Sequence, residues 1–173
     1  MNLQENIQRI KQVMGLNEWT EDMLIRHGHI KLDNPYKDKT YNPENTGDFS
    51  DSKIKKVVWR AGSVKVNPQM GGIWFGEDKE GVEKFVRSVR KVEKEGRPYY
   101  INLQNPKYYD NFWYGYLRDA ENYGRETLMN KLIRDGHDGI VIGRDTWNDT
   151  GNDETSVTSE QYVVFNPENV KPA

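Results

Sequence analysis

Apolar residues in the second part of this sequence occur in short runs that glycine, proline and asparagine interrupt. Five runs have a length suited to a buried strand, and they cover residues 54–59, 71–76, 99–103, 139–142 and 162–165. Strands of four to eight residues fit between such turn residues, whereas a helix needs ten or more residues with apolar spacings of three and four. The second part of the chain therefore predicts a sheet of short strands.

Two segments between these strands have helical spacing. In the first, Asp78 is a typical N-cap, and the apolar face that follows consists of Val82, Phe85, Val86, Val89 and Val92. In the second, residues 125–135 carry an apolar face that ends before Gly136. The aromatic segment 108–116 has an ambiguous period. Because strand and helix do not alternate strictly and no glycine-rich phosphate loop is present, an α+β domain with a mixed or split sheet is favoured over a Rossmann fold.

The first 52 residues differ in character from the rest. Residues 3–14 place apolar side chains at helical intervals before Gly15, and residues 18–27 predict a second short helix. Residues 33–52 are rich in Asp, Asn, Pro, Lys and Ser and predict a polar linker. A chain of 173 residues suits one domain with an extension. We therefore divide it into a helical extension and linker, 1–52, and one domain, 53–173, and residues 1–30 are a candidate docking segment for a partner.

Composition limits the classes of function. The 25 Lys and Arg residues are balanced by 27 Asp and Glu residues, so the formal charge of −2 gives no global attraction to nucleic acid or anionic membrane. A nucleic-acid role would need a clustered basic face, and Lys53, Lys55 and Lys56 are expected to face solvent. Cysteine is absent, and His27 and His29 lack a third ligand, so no metal site is expected. No apolar run approaches the ~18 residues of a membrane span, which predicts a soluble, cytoplasmic protein.

Three segments together resemble the ADP-ribosyltransferase superfamily. They are Val-Trp-Arg-Ala-Gly-Ser at 58–63, Gly-Ile-Trp-Phe-Gly-Glu at 72–77 and Glu-Gln-Tyr-Val-Val-Phe-Asn-Pro at 160–167. In that family a first strand ends in Arg or His followed by Gly and Ser or Thr, and a late strand begins with a catalytic Glu. Segments 100–106, 137–142 and 165–171 are similar to the ADP-ribosyltransferase-like domains that phage-encoded polyvalent proteins carry.

The resemblance implies split mixed β-sheets with flanking helices and NAD, as substrate, in a cleft between the sheets. It assigns NAD contacts to Arg60, Ala61, Gly62, Ser63, Gly72, Trp74 and Phe75. Glycine lets the backbone approach a ligand closely, and the planar donors of an arginine suit phosphate or ribose oxygens. Without the resemblance, an arginine at a strand end is more often a surface ion pair. Since adjacent strand residues point to opposite faces, at least one of the two aromatic residues is expected to pack in the core.

The catalytic position has two candidates. Aligning the late strand with the family pattern places Gln161 where the catalytic Glu belongs. In the family that Glu binds the ribose 2′-hydroxyl and stabilises an oxocarbenium-like transition state, a task for which Gln lacks the charge. Glu160 could take the role, but side chains alternate along a strand, so it reaches the site only if the strand begins at Gln161 or bulges.

The resemblance also implies a recognition surface for the acceptor. The polar loop 144–159 contains Trp147. This loop ends at Ser159, at the position where protein-modifying members often have the Gln or Glu that selects the acceptor, and Ser there predicts no particular target residue. We therefore expect a mono-ADP-ribosyltransferase for a macromolecular acceptor, a host protein if the chain is phage-encoded. The alternative is an inactive binding or structural module of the same fold, associated with a virion. The alternative for loop 144–159 is a polar surface loop with one folded-back Trp.

Overall fold

A computed structural model describes residues 2–144 and 159–173. Seven strands form one mixed sheet in the order β4-β5-β6-β2-β1-β3-β7. They are β1 Val58–Ala61, β2 Ile73–Gly76, β3 Gly96–Ile101, β4 Lys107–Tyr109, β5 Gly139–Ile142, β6 Gln161–Val164 and β7 Val170–Pro172. Strands β4 and β5 pair in parallel and the other neighbours are antiparallel. The predicted α+β class with a mixed sheet is therefore confirmed.

The sheet is continuous rather than split, which corrects one detail of the expectation. The shortest strand pairing in the sheet is between β1 and β2, where Trp59 and Gly76 are the one registered pair. Strand β1 instead forms four registered pairs with β3. The five predicted strands correspond to β1, β2, β3, β5 and β6. Strands β4 and β7 were missed because each has three residues, too few to show a period.

Five α-helices accompany the sheet in the described residues: α1 Leu3–Met14, α2 Glu21–Arg26, α3 Lys79–Arg90, α4 Arg118–Tyr123 and α5 Arg125–Arg134. The Asp78 side chain caps α3 by accepting from the Gly81 N–H at 2.6 Å, as predicted. Helix α3 ends at Arg90, and its C-cap Lys91 adopts a left-handed φ of 55°, so Val92 of the predicted apolar face lies beyond the helix. The aromatic segment of ambiguous period divides into β4 and a π-helical turn, Phe112–Leu117.

Helices cover one face of the sheet. Val82 of α3 lies over Gly76, where a Cβ atom would come within 2.5 Å of its Cγ2. The π-helical turn, α4 and α5 cover the other half of this face with a core that includes Tyr116, Leu128, Met129, Leu132, Ile140 and Val163. No helix in the described ranges has both the length and the apolar character that a bilayer span requires.

The predicted linker covers the opposite face as a packed loop. Tyr36 and Tyr41 of the linker, together with Ile54 and Val64 beyond it, pack on a buried core that includes Val58, Phe75, Tyr99, Tyr162 and Val164. The Asn45 side chain donates to the carbonyls of Glu168 and Val170 at 2.8 and 2.9 Å. The buried Ser52 hydroxyl donates to the Ile101 carbonyl at 2.8 Å. Residues 33–52 thus contribute directly to the core of the domain.

Helices α1 and α2 dock on the same chain. They share a small core with Ile30, and the Tyr123 hydroxyl of α4 donates to the Asp22 carboxylate at 2.6 Å. Arg134 of α5 pairs with Glu21, and the Asn130 amide donates to the Leu32 carbonyl at 3.0 Å. These contacts hold the N-terminal extension against α4 and α5.

A positive φ and a close approach of β6 coincide at Gly72, directly before β2, which predicts a damaging small substitution there. Gly72 has a φ of 130°, and a Cβ there would lie 2.7 Å from the Val163 Cγ1 atom. We expect Gly72→Ala to lower the free energy of unfolding by more than about 3 kcal/mol, because backbone strain and overpacking add. The matched control is Gly15→Ala, since Gly15 has a φ of 67° and open space around it, and it should cost about 1 kcal/mol. Equal losses in urea denaturation would contradict this assignment.

Candidate functional site

The register of the three central strands decides which predicted site residues meet. Trp59 pairs with Gly76 and Phe75 pairs with Tyr162, so Arg60, Phe75 and Tyr162 form one cross-strand row. Side chains alternate along each strand, and these three therefore share one face of the sheet, which we call the Arg60 face. It is the face that the loop residues cover.

Arg60 is held by two backbone carbonyls. Its Nε donates to the Ser63 carbonyl at 2.8 Å and its Nη1 donates to the Trp74 carbonyl at 2.6 Å. The guanidinium carbon lies 5.9 Å from the centre of the Phe75 ring. Burial, followed by the like charge of Arg90, lowers the pKa of Arg60 to about 10. The side chain stays cationic at neutral pH and ties the turn after β1 to strand β2.

Further cations gather beside Arg60. Arg97 is its registered partner on β3, and a Cβ on Gly62 would lie 3.9 Å from the Lys94 ammonium nitrogen. Gly62 itself has a φ of 107°, a conformation that favours glycine. We call Arg60, Arg90, Lys94 and Arg97 the basic corner. In the ranges that the structure describes, none of these four forms an ion pair with a carboxylate.

A carboxylate cluster occupies the other end of the Arg60 face. The Lys56 ammonium bridges Glu77 and Glu160, at 2.8 Å from an oxygen of each. Arg144 donates to both oxygens of Glu77, at 2.6 and 3.1 Å. The Tyr162 hydroxyl donates to Glu160 at 2.5 Å. We call these five residues the Glu77–Glu160 cluster.

The contacts within the cluster fix its protonation. Hydrogen bonds from Arg144 and then Lys56 lower the pKa of Glu77 to about 2. Hydrogen bonds from Lys56 and Tyr162 lower the pKa of Glu160. Burial, followed by the hydrogen bond to Glu160, raises the pKa of the Tyr162 phenol. At neutral pH the cluster therefore holds two ionised carboxylates and a neutral phenol.

The two candidates for the catalytic position lie on different faces. Strand β6 begins at Gln161, and the Glu160 side chain joins Tyr162 on the Arg60 face. Gln161 points to the helical face, where it is 9% exposed and pairs through its backbone with Gly76 and Ile142. Its amide group forms no side-chain hydrogen bond with the rest of the described chain. The structure thus joins Glu160, and not Gln161, to the face of Arg60.

The other predicted contact residues divide in the same way. Trp74 lies on the helical face, where its ring packs on Tyr116 and its Nε1 donates to the Met70 carbonyl at 2.7 Å. Phe75 is on the Arg60 face but only 3% exposed. Gly72 touches Val163 on β6, so its role here is backbone packing. Ala61 is half-buried on the helical face.

Two positions near the loops complete the predicted set. Ser63 is exposed beside Gly62, and Ser159 is half-buried directly before Glu160. Trp147 lies outside the described residues.

Sequence reasoning missed Lys56, Glu77, Arg144 and Tyr162 as members of the site. Lys56, expected to face solvent, is 45% exposed and pairs with two carboxylates. Counting by two from Arg60 and Phe75 was the available signal, because it places Lys56 and Glu77 on the same face as Arg60. That count could not show which strands are neighbours.

The chain matches no protein-family model, no curated protein and no solved structure. Among the described residues, no group of three or more His, Asp or Glu side chains is arranged to hold a metal ion. The arrangement of the site therefore carries the functional argument.

The cluster predicts a specific acid sensitivity. Glu77 has a folded pKa of about 2 against an ordinary value of 4.5, so its stabilisation is present above pH about 4.5 and is lost as the pH falls toward 2. We expect Glu77→Gln to cost about 1–3 kcal/mol at pH 7 and progressively less below pH 4.5. Urea denaturation at several pH values measures the difference. Glu121→Gln, at an exposed glutamate of α4, should change stability little at any pH, and a constant cost for Glu77→Gln would refute the assignment.

Proposed function

We propose that this protein is an NAD-dependent mono-ADP-ribosyltransferase in which Glu160 is the catalytic carboxylate and Arg60 contacts the dinucleotide. The observation that carries the proposal is that the Glu160 carboxylate and the Arg60 guanidinium share one sheet face. Arg60 lies in the row of Phe75 and Tyr162, and Glu160 accepts a hydrogen bond from the Tyr162 hydroxyl. The sequence resemblance assigns these two roles to residues at these two strand ends.

The chemistry needs an anion where positive charge develops. As the bond from the ribose carbon to nicotinamide breaks, its electron pair leaves with nicotinamide and the ribose acquires oxocarbenium character. An ionised carboxylate stabilises that charge and accepts a hydrogen bond from the 2′-hydroxyl. The lowered pKa of Glu160 supports this role. The acceptor nucleophile then bonds to the same carbon and loses its proton to solvent.

The basic corner supports a second contact, with the pyrophosphate. Arg97 is the registered partner of Arg60, Lys94 lies beside Gly62, and no described carboxylate forms an ion pair with any of the three cations. Neighbouring cations without a counter-charge favour the binding of an anion. Gly62, with its positive φ and no side chain, leaves the backbone open to a close approach.

Lys56 would regulate access to Glu160. Its ammonium lies where it competes with a ribose hydroxyl for the Glu160 carboxylate. The Lys56 side chain is already 45% exposed, so its ammonium can turn toward solvent without leaving a buried position. Glu77 gives the displaced ammonium a second carboxylate to pair with.

The acceptor and the setting are further parts of the proposal. The resemblance supports a macromolecular acceptor, with a host protein as the expected class if the chain is phage-encoded, and action in the host cytoplasm. The segments that carry this resemblance to phage-encoded domains are 100–106, 137–142 and 165–171.

A specific observation favours the alternative, an inactive binding or structural module. Both described hydrogen bonds of Arg60 go to backbone carbonyls, and the Glu160 carboxylate is engaged by Lys56 and Tyr162. Loop residues also pack on the buried core of the Arg60 face. In this alternative the polar residues at both ends of the face stabilise the fold, with association to a virion as the proposed setting.

The two proposals predict different outcomes when nicotinamide release from NAD by the full chain is measured with and without cell extract. If Glu160 is the catalytic carboxylate, Glu160→Gln should lower release by about 10²–10³-fold, the typical cost of removing one transition-state electrostatic contact. Gln161→Ala should stay within a few-fold of the unmodified protein, because Gln161 lies on the opposite face. Glu121→Gln makes the same chemical change at an exposed position as a control.

The contrary outcomes are equally specific. Loss of release in Gln161→Ala but not in Glu160→Gln would overturn the assignment of the catalytic carboxylate. Absence of release in every condition, together with no NAD binding by calorimetry, would refute the transferase and support the inactive module.

A further inference from the structure

The segment from the middle of α3 to the start of β3 concentrates positive charge. Residues 84–97 contain six cations and two carboxylates, Glu93 and Glu95, for a net charge of +4, whereas the whole chain carries −2. The remaining residues thus sum to −6. All six cations are exposed, and they are Lys84, Arg87, Arg90, Lys91, Lys94 and Arg97. We call this set the basic strip.

The cations of the basic strip have no counter-charge in the part of the chain that the structure describes. In the described ranges none of the six forms an ion pair, and the neighbouring carboxylates of Glu83 and Glu95 both pair with Lys79. Glu83 also accepts from the Gly96 N–H at 2.9 Å. The charge of the strip is therefore available to an external anion.

The helix geometry separates the charges from the apolar side chains. At about 100° per residue, Lys84, Arg87 and Lys91 fall within a sector of about 60°. Phe85 and Val89, which are 40% and 52% exposed, lie on the other flank, beyond the buried side of the helix. A helix that lies in a bilayer surface buries its apolar face in the lipid, whereas on α3 the centre of that face is occupied within the protein, since Val82 lies over Gly76 and Val86 is buried. This arrangement suits a ligand that contacts charge alone.

The strip is longer than one dinucleotide needs. Lys84 and Lys91 are about 10 Å apart along α3 at 1.5 Å per residue, and the strip then continues into the basic corner through Lys94 and Arg97. A pyrophosphate has two phosphate groups and is accommodated at the corner. The cations on α3 lie beyond it and suit a chain of phosphates.

We propose that the basic strip binds the phosphodiester backbone of a nucleic acid, with little dependence on base sequence. Phosphate contacts position a nucleic acid without reading its sequence, and Phe85 is the one aromatic side chain within residues 84–97. Nucleic-acid binding by the basic strip goes beyond the proposed transferase activity and does not require it. If both hold, the bound nucleic acid becomes the candidate acceptor.

Fluorescence anisotropy of the full chain with a labelled 20-nucleotide single strand tests the proposal, with a 20-base-pair duplex in parallel. With about five phosphates neutralised, affinity for the single strand should fall about 100-fold between 50 and 200 mM salt. Combined Lys84→Glu, Arg87→Glu and Lys91→Glu substitutions should weaken binding at least tenfold. The same substitutions should leave NAD binding within a few-fold, because they avoid the basic corner.

The matched control reverses three exposed lysines elsewhere, with Lys31→Glu, Lys37→Glu and Lys53→Glu. It makes the same change in net charge, so an equal loss of oligonucleotide affinity in both triple variants would overturn the assignment of binding to the basic strip. Binding to phosphatidylserine vesicles without binding to either oligonucleotide would replace nucleic acid with a membrane surface. Oligonucleotide binding that survives in the strip variant would also refute the proposal, and unchanged thermal melting confirms that each variant is folded.

Discussion

Strand β2 holds the two parts of the sheet together, and the rest of the structure depends on its packing. It forms four registered pairs with β6 and meets β1 at the pair of Gly76 with Trp59. Glycine is required directly before β2 and at its last residue. A side chain of β6 occupies the space of a Cβ at Gly72, and a side chain of α3 occupies that space at Gly76. This close packing sets the register that brings Phe75 beside Tyr162 and Glu77 beside Glu160.

Electrostatics then distinguishes the two ends of the Arg60 face. At one end each carboxylate has a cationic or phenolic partner, so the Glu77–Glu160 cluster is internally neutralised and its members are held in position. At the other end the basic corner has no described counter-charge. Cationic and hydrogen-bonding partners keep the carboxylates of the cluster ionised, whereas the cations of the basic corner, without a described counter-charge, favour the binding of an anion.

Local signals predicted most element positions because their causes are local. The interval of three and four residues placed α1 at its observed bounds, and Asp78 marked the start of α3. Strand β7 was missed because it is short and is identified by its pairing with β3. Average composition likewise concealed the basic strip, since acidic residues elsewhere in the chain balance its charge.

The sequence by itself determined the short strands, the helix caps and the glycine turns, since each depends on neighbouring residues and on fixed backbone geometry. It also limited the candidates for the catalytic position that the resemblance implies to two adjacent residues, Glu160 and Gln161. The tertiary structure decided which strands adjoin, and hence that Glu160 shares a face with Arg60 and pairs with Lys56, 104 residues away. It also decided that residues 33–52 pack on the sheet. Contacts between such distant residues follow from strand order and register, which the local periodicity of a sequence does not encode.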